Sequence, residues 1–110
     1  MEEVLYDTSY LIEEYRHGVR ELDGYTTVLN IVEFPKALGI RRLKVIYPSV
    51  EDFDEAIKVS KDLLKIGKPL PAVDILIAAI ALKRALTLKT RDEHFKLVKE
   101  VRPYLKLELL

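Results

Sequence analysis

The sequence predicts an α/β domain in which a mostly parallel sheet lies between helices on both faces. Two observations lead there. Short apolar or β-branched runs alternate with helix-like segments along the chain, the pattern that strand–helix crossovers of a parallel sheet produce. One helical segment, Ala72 to Arg84, is apolar nearly all round and so must be covered on several sides. The length of 110 residues fits a single domain over 1–110 and leaves no room for two.

Val4-Leu5-Tyr6 is a short apolar run that stops at Asp7 and reads as a buried first strand. Tyr10 to His17 carries Tyr10, Leu11, Ile12 and Tyr15 at helical spacing, with Gly18 as a stop. Tyr25 to Leu29 is aromatic and β-branched and reads as a second strand. A helix over Ile31 to Leu38 follows, ended by Gly39. Because proline inside a helix costs about 3 kcal/mol beyond the first turn, Pro35 places the expected start of this helix at or after Val32. Leu43 to Tyr47 is a third strand, closed by Pro48. Ser49 then caps an amphipathic helix with Asp52 three residues on. Its expected core face is Phe53, Ala56, Ile57, Ser60, Leu63 and Leu64, and Gly67 ends it. Pro69 to Pro71 is a turn before the all-apolar helix. A strand over Ala85 to Leu88, a helix over Asp92 to Val101 and an edge strand over Tyr104 to Leu109 complete the chain. Right-handed crossovers gather the strand C-termini along one edge, and ligand sites of such sheets lie beyond that edge.

Composition excludes several function classes. With 49% hydrophobic and 33% charged residues the chain is not disordered. The absence of cysteine removes disulfides, thiolate metal sites and thiol nucleophiles. Two histidines, His17 and His94, argue against a histidine-rich zinc site. Lys+Arg and Asp+Glu are 18 each, so no net charge draws the protein to nucleic acid, and an RNA surface must be a local basic patch or depend on metal ions. The acidic start lacks the form of a signal peptide, and the longest apolar stretch, Ile75 to Leu82, is too short to span a bilayer. A cytoplasmic location is expected.

Four acids fall where chain ends should meet on one sheet edge. Asp7 ends the first strand, Glu33 follows the second, Asp74 opens the buried helix and Asp92 follows the fourth strand. Each alone has a plain explanation in helix capping: Asp7 as a cap, Glu33 in a capping box with Asn30, Asp74 as a first-turn acid, and Asp92 in the box Thr90-Arg91-Asp92-Glu93. Four together at one edge would repel unless cations held them.

The segments around these acids are Leu5-Tyr6-Asp7-Thr8-Ser9-Tyr10-Leu11-Ile12, Val28-Leu29-Asn30-Ile31-Val32-Glu33, Asp74-Ile75-Leu76-Ile77-Ala78-Ala79 and Leu86-Thr87-Leu88-Lys89-Thr90-Arg91-Asp92-Glu93-His94-Phe95. In these segments, spread over nearly the whole chain, the sequence resembles the PIN-domain family, and within it the VapC-type toxin ribonucleases of VapBC toxin–antitoxin pairs. The resemblance implies a PIN-like three-layer sandwich and an endoribonuclease that hydrolyses RNA phosphodiester bonds with water activated by Mg²⁺ or Mn²⁺. It implies Asp7, Glu33, Asp74 and Asp92 as catalytic metal ligands, with Ser9 and Thr90 as supporting hydroxyls. It further implies a homodimer and a small antitoxin partner. The chain departs from the family in being short between Gly39 and Leu43, a region that usually helps to form the dimer and the antitoxin groove.

Among the remaining residues, Arg91 beside Asp92 could hold an RNA phosphate, and His94 reads as a residue at the rim of the site. Arg41, Arg42 and Lys44, with Lys36 nearby, form the densest basic patch and could steer RNA. Tyr6 and Tyr10 read as core, while Tyr25 could stack on a base. The alternatives to a toxin are a PIN-type RNA-processing nuclease without antitoxin and a non-catalytic metal- or RNA-binding module. A phospho-receiver domain would need an Asp ending the third strand, where Val45 to Ser49 has none. A phosphatase of Asp-x-Asp type would need Asp where Ser9 stands.

Overall fold

The computed structural model describes residues 3–110. In chain order the elements are β1 (Val4–Tyr6), α1 (Thr8–Arg16), β2 (Glu21–Thr27), α2 (Val28–Glu33), β3 (Arg41–Ile46), α3 (Val50–Lys65), α4 (Ala72–Arg84), β4 (Thr87–Thr90), α5 (Lys96–Val101) and β5 (Leu107–Leu109). Short 3₁₀ segments fill Pro35–Gly39 and Glu93–Phe95. The five strands form one sheet in the order β3-β2-β1-β4-β5, with every pairing parallel. The chain winds outward from β1 to β3, then returns to add β4 and β5 on the other side of β1. The order therefore reverses between β1 and β4, the place where open parallel sheets form a crevice beyond their C-terminal edge.

Alternation along β1 builds the layers. Leu5 points with Leu88 of β4 into a core made with Val59 and Leu63 of α3, Ile77 and Ile80 of α4, Phe95, and Val98 of α5. Val4 and Tyr6 point the other way, onto Leu11 of α1 and onto Ala37 and Ile40. All residues from Ile75 to Ala81 of α4 are buried, as an all-apolar helix requires, and each large aliphatic side chain there contributes roughly 1.5–3 kcal/mol. Tyr6 packs so closely on β2 that a Cβ at Gly24 would lie 2.8 Å from its ring. Gly24 sits at a positive φ of 144° beside an irregularity in the β2–β3 register. No helix of the described residues is long and apolar enough to cross a membrane.

Four expectations change in detail. Val28 and Leu29 belong to a helix rather than to β2, because Thr27 is an N-cap. Its hydroxyl accepts from the Asn30 backbone N–H, and the Asn30 side chain accepts from the Thr27 N–H, closing a capping box. Pro35 then sets the end of α2, not its start. It restricts Phe34, which lies at φ −142°, ψ 77°, and begins the 3₁₀ segment itself. The fourth strand begins at Thr87 because Ala85 takes the left-handed conformation that ends α4. Finally, α3 is capped by Ser49 and Asp52 as expected but is rotated: Asp52, Val59 and Leu63 are buried, while Phe53, Ile57 and Leu64 are 51%, 59% and 60% exposed. Ion pairs accompany this orientation. Asp52 turns inward to Arg84 at 2.6 Å, and Arg102 of the chain after α5 reaches Glu55 at 3.3 Å and Asp62 at 2.9 Å.

Candidate active site

Asp7 leaves β1 at the point where the strand order reverses, and it is only 6% exposed. It stands at the N-cap of α1, yet its side chain caps nothing. Instead Oδ2 accepts from Ser9 Oγ at 3.0 Å and from Thr90 Oγ1 at 2.8 Å, while Oδ1 accepts from Asn30 Nδ2 at 3.3 Å. The two hydroxyls are themselves held in place: Ser9 Oγ accepts from the Arg91 backbone N–H and Thr90 Oγ1 from the Asp92 N–H, both at 2.9 Å. Each hydroxyl has one proton. With both given to Asp7, the 3.1 Å contact between the two oxygens is not itself a hydrogen bond. The first turn of α1 and the end of β4 are thus tied together through one carboxylate.

Asn30 extends this network to β2. It is fully buried. Its Oδ1 accepts from the Thr27 hydroxyl at 2.7 Å, and its Nδ2 donates to Thr8 Oγ1 at 2.8 Å as well as to Asp7. Thr8 in turn donates to Glu33 Oε1 at 2.7 Å. Glu33 is the exposed last residue of α2, so the early end of that helix sets its position. Asp92 caps the 3₁₀ segment after β4. It accepts from the His94 N–H at 2.9 Å and lies 3.1 Å from His94 Nδ1. Asn30 and Thr8 were not singled out in the sequence, although Thr27 and Asn30 have the capping spacing that fixes Asn30 inward.

Asp74 lies in the first turn of α4. Burial pushes its carboxyl up, and repulsion from Asp92, Asp7 and Glu33 adds to this, so that it is pushed up to about 6; His94 opposes the shift. Asp92, Asp7 and Glu33 thus lie near enough to Asp74 to repel its charge. Among the described residues no group of three or more acidic or imidazole side chains is arranged so that it could hold a metal ion. The arrangement is an acidic rosette whose donors are all hard oxygens, which fits Mg²⁺ or Mn²⁺ in kind and does not fit a soft metal.

The other predicted residues separate. Arg91 is exposed beside the rosette. The basic patch is not there: Arg41 and Arg42 begin β3, at the opposite edge of the sheet from the acids, and are paired with Glu21 and Asp23 of β2. Lys44 lies over the Tyr25 ring at 5.7 Å, on the same strand pair. Tyr6 and Tyr10 stack on each other at 5.1 Å, consistent with packing.

The strand order and flanking helices define a three-layer α/β domain with a PIN-like fold. No family model matches the sequence, and no curated protein matches it. Solved structures do. A chain of the DNA-bound VapBC structure from Salmonella typhimurium superposes with a TM-score of 0.77 at 18% identity, covering 98% of each chain. A chain of VapBC-5 from Mycobacterium tuberculosis, a member of the VapBC family of toxin–antitoxin systems, gives 0.75 at 17% identity, covering 100% of this chain and 98% of that one. A chain of VapBC-1 from nontypeable Haemophilus influenzae gives 0.75 at 19% identity, covering 96% of each. At these identities the likeness is one of fold, and it spans the chain from end to end.

Proposed function

We propose that this protein is a divalent-metal-dependent endoribonuclease of the PIN type, the toxin of a toxin–antitoxin pair. The observation that carries the reading is the crowding of like charge at Asp74, whose carboxyl is pushed up to about 6 by burial and by Asp92, Asp7 and Glu33. Such crowding costs stability and has no structural purpose unless a cation is held there.

Bound Mg²⁺ or Mn²⁺ would make hydroxide available near neutral pH and offset charge on a phosphate. The chain's own residues do the positioning. Ser9, Thr90 and Asn30 leave Asp7 no freedom to turn, and Thr8 holds Glu33 toward the same side. Asp92, fixed by the His94 N–H, lies near enough to Asp74 to repel it. Arg91, exposed next to Asp92, is placed to take the adjacent phosphate of an RNA strand. The likeness to chains of VapBC toxin–antitoxin complexes supports an antitoxin as protein partner. A processing nuclease without antitoxin would use the same site and differ only in what co-purifies.

The test is cleavage of a mixed pool of labelled RNAs by the pure protein with Mg²⁺, with Mn²⁺ and with a chelator, beside Asp92→Asn. Cutting that needs the ion and falls at least a hundredfold in the variant is expected. Equal cutting by both proteins, or cutting that survives the chelator, would sink the assignment.

A further inference from the structure

The β2–β3 pair is irregular at one place. Between the paired positions Glu21–Arg41 and Gly24–Leu43, Leu22 and Asp23 of β2 stand opposite Arg42 alone on β3. One extra residue in a strand is a bulge, which bends the pair and re-aims its side chains. Arg42 takes a positive φ of 71° there, a backbone state that an arginine adopts only where its surroundings hold it. At this irregularity opens a cavity of about 480 Å³, lined by Glu3, Asp23, Gly24, Tyr25, Arg42 and Lys44. Its size is that of a small-ligand site, and it lies toward the strand N-termini, away from the four acids.

The charges of the lining are mostly engaged with one another. Arg42 pairs with Asp23. Glu3 lies close enough to the Tyr25 hydroxyl to raise its pKa, by hydrogen bonding first and by charge second. Lys44 is exposed and enters no ion pair among the described residues. Its ammonium stands 5.7 Å from the centre of the Tyr25 ring, near the outer limit of a cation–π contact, so it is free to turn to a ligand. The Tyr25 ring is anchored by packing against the main core. What the cavity offers is therefore one fixed aromatic face with one uncommitted cation beside it.

We infer that this cavity is a nucleotide site, in which Tyr25 stacks on the base and Lys44 holds the phosphate. A flat π-system joined to an anion is what this pair of side chains recognises together. A bare inorganic anion leaves Tyr25 unused, and an uncharged aromatic leaves Lys44 unused. A free mononucleotide and one unpaired nucleotide of an RNA strand present the same base and phosphate. The site stands apart from the nuclease reading, because it uses neither a metal nor any of the four acids.

The test is an NMR titration of the full chain in the presence of a chelator, so that no metal bridges phosphate to the acids. Adenosine monophosphate should shift the backbone amides of Gly24, Tyr25 and Lys44 in a saturable way and leave those of Asp7 and Asp92 in place. Adenosine and inorganic phosphate should each bind at least tenfold more weakly. Lys44→Gln should weaken binding at least fivefold, and so should Tyr25→Leu, which keeps an apolar side chain against the core. Lys36→Gln, at an exposed lysine outside the cavity, should bind as the wild type does. An unpaired oligoadenylate that shifts the same amides at lower concentration assigns the site to an RNA strand, and one that binds no more tightly assigns it to the free nucleotide. The inference is overturned by no shift at these amides up to about 10 mM, by phosphate alone binding as tightly as the mononucleotide, or by wild-type binding in Lys44→Gln and Tyr25→Leu.

Discussion

Asp74 and Asp7 carry the same charge at the same site, yet neutralising them should have opposite effects. At Asp74 burial and three neighbouring carboxylates favour the protonated acid, which titrates at about 6 when folded, against about 4 in an unfolded chain. The folded state thus binds more protons between those values. In the presence of a chelator, stability should rise as pH falls from 7 through 6 and level off near 4. Asp74→Asn should remove this rise and raise stability at pH 7 by about 1 kcal/mol, the full linkage being reduced because the side chain is only half buried. Asp7→Asn instead turns an amide against the hydroxyls of Ser9 and Thr90 or against Asn30, and should destabilise. Thermal unfolding across pH 5–8 checks both signs; an Asp74→Asn protein that tracks the wild type would show that the repulsion is not felt. The four acids stood out in the sequence as carboxylates near strand ends, and their joint role is the proposal made above. Asn30 and Thr8 did not, because nothing local distinguishes a buried bridging amide from a cap. Only the fold brings Asn30 within reach of a residue 23 positions away.

Elements were legible where local chemistry agrees with burial, and less so where distant charges intervene. The capping box at Ser49 and the apolar circumference of α4 are local features, and both appear as expected. The direction in which α3 faces goes with ion pairs to Arg84 and Arg102, which lie 32 to 47 positions away from the acids they pair with. Hydrophobic spacing favoured Phe53 and Ile57 as core, but paired acids occupy the inward side. The cost of breaking that arrangement can be measured at Asp52, which is 1% exposed. Burial pushes its carboxyl up, but the hydrogen bonds from Arg84 and Ser49 outweigh this and hold it below the usual range. Arg84→Ala would leave a buried, unpaired carboxylate and should cost about 2–4 kcal/mol at pH 7, the lower part of that range reflecting the partial exposure of the arginine. A carboxyl with a depressed folded pKa contributes its full stability above about pH 4 and loses it as pH falls further. Without Arg84 burial raises the Asp52 carboxyl, so the variant takes up a proton at a higher pH than the wild type, and the gap in urea unfolding should be widest near pH 7 and narrow steadily as pH falls toward 4. A gap that is the same at pH 7 and pH 4 would assign the stabilisation elsewhere.

At the scale of the whole molecule, the site is a junction. Asp7 follows β1, Glu33 closes the helix after β2, Asp92 follows β4, and Asp74 belongs to the helix that covers the centre of the sheet. Alternating strand and helix signals were enough to place these four chain positions on one edge, since right-handed crossovers leave few other arrangements. They could not show that β1 lies at the centre of the sheet, which makes Asp7 the pivot between its two halves. A cation held by carboxylates from both sides of the reversal would bind only the folded chain, because no unfolded chain collects these positions. It should therefore stabilise by mass action: at ten times its dissociation constant the gain is about 1.4 kcal/mol, roughly 6 °C in the unfolding midpoint for a domain of this size. Titrating Mg²⁺ and Mn²⁺ into chelated protein should raise the midpoint in a saturable way at pH 7. Ca²⁺, which is larger and prefers more ligands, serves as a comparison, and Asp7→Asn and Asp92→Asn should flatten the response. A shift of equal size in wild type and variants would mean that the ions act on the surface at large and that the four acids are not the site that holds them.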